Sequence, residues 1–551
     1  MKPENRTETV HLRFLHTSDV HGHVLDALPR VAALVAAARE ELPDGVIVTD
    51  GGDVLQGHPA AYYYNFVDSS APYIVSEAMN RVGYDVATIG NHDIETGRSV
   101  FERWIRECGF PVLGANILDE KTGEPVLTPY IIKVRACVRV AILGLITPAI
   151  PNWVPRQCWQ GLRFEEMVTA AKKWIPIIQE REQPDLIVGL FHSGLDAEQG
   201  IQTADYAENE VRMVASQVSG FDLILYGHDH RRHTERVLSP DGDNILCIGP
   251  TSIGAFVCQV DVEVQRDRQG RVVNRRVTGQ HIDMSDVQPV EPWFPEAKTA
   301  VQKYMEEEVG VIDMTLHERD AFFGSSAFID LIHDLQFELS PAAEISFAAP
   351  LSFDAVIERG MTHVSDMYAL YKYENLLYTM RLTGREVLNF LEMSYDLWTN
   401  TMHGADDHIL LLDNVLDGGK RLGLKNMAFN FEAAAGIRYT VDASKPDGQK
   451  VRILSMEDGR PFEMDRAYLV ATNSYRGNGG GELMTRGAGI PLEELPSRVV
   501  SSTELDLRYY FIEIIRRKGR VTPHMRHNWR FIPDEWAPAA LARDRKLLFR
   551  S

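Results

Sequence analysis

Six short, almost wholly apolar runs recur through roughly the first 260 residues: LRFLHTS, GVIVTDGGD, DVATIGNHD, RVAILGLIT, DLIVGLFHS and FDLILYGHD. A strand that faces water on one side alternates apolar and polar positions, whereas a strand covered on both faces reads as a continuous apolar run. These six therefore predict a sheet-rich domain with helices packed outside, an α/β layered architecture. The intervals supply such helices, notably Pro29 to Glu41, with Val31, Leu34, Val35 and Ala38 on one stripe, and Phe164 to Gln179. The longest apolar stretch, Val140 to Ile146, is too short to cross a bilayer and is closed by Thr147 and Pro148, so it reads as a buried strand and no membrane span is expected.

The second half is organised differently. Trp293 to Val309 carries an amphipathic helix pattern, with Ala297, Ala300, Val301, Tyr304 and Met305 on one stripe, Gly310 as a stop and Glu306 to Glu308 as a solvated face. It predicts a helical connector over 291–315, between a first domain over 1–290 and a second over 316–551. In the second domain, Thr383 and Glu386 of TGRE form a capping box ahead of a helix buried through Val387, Phe390, Leu391 and Trp398. Strand-like segments such as GIRYTVD and AYLVATN complete an α/β or α+β domain.

Composition narrows the function. Among 551 residues, 44% are hydrophobic and 25% charged, as in folded globular proteins. Lys plus Arg number 57 against 78 Asp plus Glu, a formal charge of −21 with no basic run, which excludes a nucleic-acid polymer as partner. A small anionic substrate is compatible with that balance when cations reverse the field inside one pocket. Cys108, Cys137, Cys158, Cys247 and Cys258 are too scattered for a disulfide framework or a zinc knuckle. The N-terminal MKPENRTETVHLRFLH shows no apolar core and no small-residue cleavage site, so the chain as written reads as cytoplasmic. Oligomeric state is not legible.

The informative residues stand where the apolar runs end: Asp19 and His21 in SDVHGH, Asp53 in GGD, Asn91 and His92 in GNHD, His192 in FHSG, and His228 and His230 in GHDH. The ends of strands are where open α/β sheets place ligand sites. Imidazole mixed with carboxylate suits zinc, manganese, iron or nickel better than magnesium or calcium. Such a set can hold two divalent ions with Asp53 as bridge, a standard device for phosphoester hydrolysis. One histidine after one strand carries little weight, but five such segments in order do not arise by chance.

This order resembles the calcineurin-like metallophosphoesterases over roughly residues 12 to 260. With SFAAPLSFDAVI, LYKYENLLYTMRLTGRE and ATNSYRGNGGGE in the second half, the resemblance narrows to the 5'-nucleotidase group, nearest the branch of 2',3'-cyclic-nucleotide phosphodiesterases and 3'-nucleotidases. It implies a four-layer αββα metallophosphoesterase sandwich followed by an α/β 5'-nucleotidase C-terminal domain. It implies one ion held by Asp19, His21, Asp53 and His230, a second by Asp53, Asn91, His192 and His228, and in-line attack by hydroxide held on the metals. His92 matches the histidine that stabilises the phosphate or its leaving oxygen. In GNHDIE the carboxylate expected three residues beyond it is Glu95, while Asp93 is adjacent, and the sequence leaves open which of the two orients the ring.

For substrate recognition the resemblance implies two aromatic rings around a base. Phe431, five residues before Gly436, or Phe429 matches one, and Tyr475 matches the other, with Asn473, Arg476 and Asn478 as polar neighbours. Where many 5'-nucleotidases carry an arginine in an NxGGxR segment, this chain reads FAAPLSF, which favours the cyclic-phosphodiesterase and 3'-nucleotidase branch. His16, His23, His58 and His233 read as neighbours of the site, and Tyr62 to Asn65 as its rim or a packed turn. The expected activity is release of phosphate from nucleoside monophosphates, with 2',3'-cyclic nucleotides as further substrates. UDP-sugars or another phospho- or sulfo-ester on the same core, and a non-catalytic nucleotide-binding or interaction protein, remain alternatives. Relatives of this kind are often exported, which leaves a periplasmic or extracellular site open.

Overall fold

The computed structural model describes residues 8–289, 291–413 and 423–549. Most of the polar stretch that opens the chain, residues 1–7, lies outside the described residues. The chain divides into two compact units, Met1–Gln302 and Lys303–Ser551.

The first unit is built on two six-stranded sheets. In one, Glu8–Thr17, Val46–Asp50, Val86–Thr88 and Val112–Leu113 run parallel, and Phe256–Arg266 and Val272–Asp283 extend it antiparallel. In the other, Val138–Ile146, Leu186–His192, Leu223–Tyr226 and Asn244–Gly249 run parallel between the antiparallel edges Tyr130–Arg135 and His233–Leu238. The sheets face each other across a core of Leu12, Phe14, Ile47, Val140, Ile142, Val188, Leu190, Leu225 and Val260. Residues one step along the same strands, Ala141, Leu143, Ile187 and Phe191, point the opposite way, against helices Met167–Glu182 and Val211–Gln217. This double burial is why the runs show no alternation. Helices Leu28–Glu41 and Ile74–Val82 pack together, the former on strand Val46–Asp50. The result is the expected αββα order.

In the second unit a five-stranded sheet runs Ala433–Ala435, Ile345–Ala348, Ala467–Asn473, Leu377–Thr383, Val499–Ser502. Helix Gly384–Trp398 begins at the capping box: Thr383 Oγ1 accepts from the Glu386 amide at 3.2 Å and Glu386 Oε2 from the Thr383 amide at 2.7 Å. Val387, Phe390, Leu391 and Trp398 are buried as expected.

Two expectations fail locally. The helix foreseen from Phe164 starts at Met167, because Leu162–Phe164 pairs as a strand with Ile117–Asp119 and Glu166 then caps the helix by accepting from the Thr169 amide at 2.6 Å. The connector helix spans only Pro295–Met305. Glu308–Ile312 is instead a strand, antiparallel to Gly360–His363 and parallel to Arg520–Val521, and Gly310 lies within it. A side chain at Gly310 would meet Ile515 at 2.9 Å, so the glycine serves close packing and does not stop a helix. All five cysteines are free.

Replacing Thr383 with Ala removes one half of the capping box. We expect the first turn of Gly384–Trp398 to lose about 1 kcal/mol, seen as roughly fivefold faster amide exchange there and largely restored in Thr383→Ser.

Candidate metal centre

The parallel strands of both sheets end on the same edge, at Thr17, Asp50 and Thr88 in one sheet and His192 and Tyr226 in the other. The chain turns sharply after each end. Asp19, His21, Asp53, His228 and His230 all have positive φ, between 48° and 80°. Asp and His tolerate this region better than most residues, and so many strained positions together mark a functional site. Two glycines give the room. A side chain at Gly90 would stand 2.1 Å from Asp53 Oδ1, and one at Gly227 1.8 Å from Ser18 Oγ. Backbone bonds then tie the turns to one another: Asp19 N–H donates to Gly52 O, His21 N–H to Asp53 O, and Ile253 N–H to Asp19 O.

Two groups of candidate metal ligands result, Asp19 with His21 and His230, and Asp53 with His192 and His228. Asp19 and Asp53 are almost wholly buried. His230 Nε2 lies 3.4 Å from Asp19 Oδ1 and 3.0 Å from His21 Nε2. His192 Nε2 lies 3.1 Å from Asp53 Oδ2 and 3.0 Å from Asn91 Oδ1. Burial alone would raise both carboxylates, but both are held below the usual carboxylate range, Asp19 chiefly by the hydrogen bond and charge of His230, Asp53 by the charges of His192 and His92. His192 is driven the other way: burial opposes its charge, and Asp53 outweighs burial and lifts the ring to about 10. His21 drops to about 4 chiefly through burial, with Asp53 opposing the shift and His92 and His230 adding to it. The centre is therefore a buried anionic cradle whose imidazoles gather around the carboxylates as cations would. That donor chemistry fits divalent ions of the first transition row. Beneath it Asp50 is pushed up to about 8 by burial, against bonds from Thr17 Oγ1 and the Gly52 amide, and adds no third charge at neutral pH.

His92 stands beside both groups, its ring 5.4 Å from that of His21 and its amide donating to Asp53 Oδ1 at 2.8 Å. The ring pairs with Glu95, Nδ1 to Oε2 at 2.7 Å. Burial disfavours its charge, yet Asp53 and Glu95 lift it to about 9. Asp93 turns away from the ring. It is buried and accepts the amides of Gly90, Asp53, Val54 and Leu55 at 2.8–2.9 Å, so it shapes the turn that presents Asp53.

Two residues beside the ligand groups are not legible in the sequence. Glu208 Oε1 sits 3.1 Å from His228 Nε2, and Gln56 O 3.1 Å from His21 Nδ1; neither follows an apolar run. His16 is buried between Thr49 Oγ1 and Tyr226 O, and exposed His233 pairs with Glu235. His23, Asp26 and His58 gather near the surface, with His58 Nδ1 accepting the Ala60 amide. Of the stretch Tyr62 to Asn65, only Tyr63 is half-buried; Tyr62, Tyr64 and Asn65 are packed.

In the second unit the structure corrects the base-binding set. Phe431 is fully buried and stacked on Trp398 at 5.4 Å, a core ring closed to any base. Arg476 is buried and spends its guanidinium on Glu432, the carbonyls of Phe429 and Gly480, and Asn430 Oδ1. Asn473 is buried as a helix cap, accepting the Arg476 amide at 2.8 Å. Phe429 and Tyr475 remain half-buried, their centroids 6.1 Å apart at 90°, and Asn478 is half-buried nearby in sequence.

Known families match parts of both units. Residues 12–232 match the calcineurin-like phosphoesterase model and residues 306–486 that of the 5'-nucleotidase C-terminal domain. The trifunctional nucleotide phosphoesterase protein YfkN of Bacillus subtilis is 24% identical over 96% of this chain, which spans 39% of that protein. The 2',3'-cyclic-nucleotide 2'-phosphodiesterase/3'-nucleotidase of Salmonella typhimurium is 24% identical over 95% of this chain and 89% of its own. A solved Staphylococcus aureus structure assigned as a 5'-nucleotidase, in complex with alpha-ketoglutarate, shares the fold with a TM-score of 0.78 at 21% identity, covering 95% of this chain and 100% of that one. Over residues 12–232 the chain carries a calcineurin-like phosphoesterase domain, a family of metal-dependent phosphoesterases. More particularly, the chain is one in which that domain is followed by a 5'-nucleotidase C-terminal domain. Among the described residues no helix is long and apolar enough to cross a membrane.

Asp93→Asn sets an amide NH2 against two of the four backbone donors, whichever way it turns. We expect a stability loss of about 2–4 kcal/mol together with weakened metal retention, whereas Glu95→Gln loses about 1 kcal/mol or less; thermal unfolding of the two variants separates the roles.

Proposed function

We propose that the protein is a nucleotide phosphohydrolase whose first unit binds and cleaves the phosphoester and whose second unit recognises the nucleoside. The observation that carries the reading is the pair of adjacent ligand groups at the strand ends, with the His92–Glu95 pair beside them.

Asp19, His21, Asp53 and His230 would hold one divalent ion, and Asp53, Asn91, His192 and His228 a second. When bound, such ions lower the pKa of water and neutralise charge on phosphoryl oxygens. The chain's own residues do the rest. Asp53 lies between His192 and the His92 amide, and its carbonyl accepts the His21 amide, which ties the two ligand groups together. Glu95 holds Nδ1 of His92, leaving Nε2 to meet a phosphoryl oxygen or give a proton to the departing alkoxide. An imidazolium held to about pH 9 is charged at neutral pH and suited to that task.

Of the candidate rings, Phe429 and Tyr475 are the ones exposed enough to stack on a base, and stacking recognises bases as a class. Buried Arg476 braces both, gripping the Phe429 carbonyl at 2.8 Å while its own backbone follows Tyr475. The relatives named for 2',3'-cyclic and 3'-nucleotide substrates, and the apolar FAAPLSF segment, support that branch.

The test is phosphate release from 5'-AMP, 3'-AMP, 2',3'-cyclic AMP, UDP-glucose and p-nitrophenyl phosphate with added manganese or zinc and an EDTA control. We expect chelator-sensitive turnover favouring a nucleotide; equal turnover of p-nitrophenyl phosphate would remove the nucleoside-binding role. Phe429→Ala and Tyr475→Ala should each raise KM for the nucleotide about tenfold and leave p-nitrophenyl phosphate unchanged, while Phe431→Ala should instead cost stability, about 3–5 kcal/mol.

A further inference from the structure

We propose that Glu208 is the positioning residue that fixes the tautomer of His228 and thereby presents its Nδ1 to the metal centre. The inference rests on the reading of His228 as a ligand and adds a residue outside the strand-end segments.

The geometry is specific. Glu208 Oε1 lies 3.1 Å from His228 Nε2, and the two side chains are only 18% and 10% exposed. A carboxylate only accepts, so a neutral His228 facing it carries its proton on Nε2, which leaves the Nδ1 lone pair as the one that can reach a cation. A carboxylate behind a ligating imidazole is the usual means of fixing ring orientation and raising ligand basicity. Without it, a neutral imidazole exchanges its proton between the two nitrogens, and the Nδ1–H form cannot bind.

The loop after His192 is built to deliver this carboxylate. Glu208 Oε2 accepts the Ile201 amide at 2.7 Å, and the Glu208 amide donates to Ile201 O at 2.7 Å, so the residue is clamped across its own loop. Its carbonyl accepts from Thr147 Oγ1 at 2.7 Å and from Ser193 Oγ at 3.1 Å, which anchors it to the ends of two central strands, one residue from His192. A side chain at Gly200 would stand 2.3 Å from Glu208 Oε2, so the loop closes on the carboxylate only with glycine there. On the other side Asp229, next to His228, accepts the Leu195 amide at 3.3 Å and ties the GHDH turn to the same loop.

Glu208→Gln separates positioning from support. The Ile201 amide is a fixed donor and takes the Gln carbonyl, which turns the Gln NH2 toward His228 Nε2. The ring is then driven into the Nδ1–H form while the loop keeps its anchor, as when an asparagine replaces the orienting aspartate of a catalytic triad.

The experiment measures zinc and manganese stoichiometry and affinity by equilibrium dialysis with elemental analysis, and thermal unfolding of the metal-free protein, for wild type, Glu208→Gln, Glu208→Ala and His228→Ala. We expect His228→Ala to lose about one equivalent. Glu208→Gln should bind that equivalent about 10–100-fold more weakly with metal-free unfolding unchanged. Wild-type affinity in both Glu208 variants, with His228→Ala still deficient, would overturn the proposal alone. Full affinity in His228→Ala would overturn the ligand reading beneath it. Weakening that appears only in Glu208→Ala, in step with a lower unfolding temperature, would reduce Glu208 to a loop support and would also overturn the proposal.

Discussion

Two carboxylates, Asp19 and Asp53, are buried in the turns at the ends of strands whose facing sides form a hydrocarbon core, and much of the first unit is arranged around that fact. An isolated ionised carboxylate in such a place is strongly unfavourable and would take up a proton. Both instead stay ionised because imidazoles converge on them, His230 on Asp19 and His192 on Asp53, at 3.4 and 3.1 Å. The same convergence makes the cradle competent for divalent cations, which deliver more charge to the same point than protonated rings do. Asp50, one turn below, shows the alternative outcome: with a hydroxyl and one amide as partners and no imidazole, it is held protonated at neutral pH.

The site also has a mechanical side. Residues at positive φ are disfavoured one by one, and five of the seven ligand candidates occupy that region. They persist because neighbouring turns over-determine them. Asp93 collects four amides of the Asp53 and Asn91 turns, and Asp19 Oδ2 accepts the His228 amide at 3.0 Å, binding the first of the five strand-end turns to the last, the GHDH turn. Charge and strain are thus settled by the same groups, and a carboxylate in this region counts as much for the amides it accepts as for its anionic charge.

These facts explain what the sequence could and could not reveal. The strands were legible because burial on both faces removes alternation, and the ligand candidates because each stands directly after such a run. The capping box at Thr383 was legible for a similar reason, being a local pattern with a local cause. Glu208 was not, since it lies in a loop and reaches His228 only through the fold. Asp93 and Glu95 could not be told apart by spacing; the difference is the direction of a side chain at the start of a short helix. Phe431 and Phe429 are two residues apart with the same chemistry, and only Trp398, far away in sequence, decides that the former belongs to the core. The strand Glu308–Ile312 was hidden by its glycine, which marks a close approach to Ile515 where the pattern suggested a helix stop.

The segment FAAPLSF brings these strands of argument together. Phe347 is fully buried and stacks on Phe390 at 4.1 Å with the rings nearly parallel, and Phe353 stacks on Phe549 at 4.7 Å. Where an arginine would supply positive charge, this chain has aromatic packing, and Arg476, the arginine among the candidate base-binding residues, is sealed against Glu432. In a protein of formal charge −21, cations placed at the site itself matter most to an anionic substrate. On the proposed reading, recognition of the anion therefore falls to the cations of the first unit and to His92, and recognition by the second unit to uncharged ring faces. Stacking of that kind reads bases as a class, and on the same reading the position of the phosphate is left to the first unit.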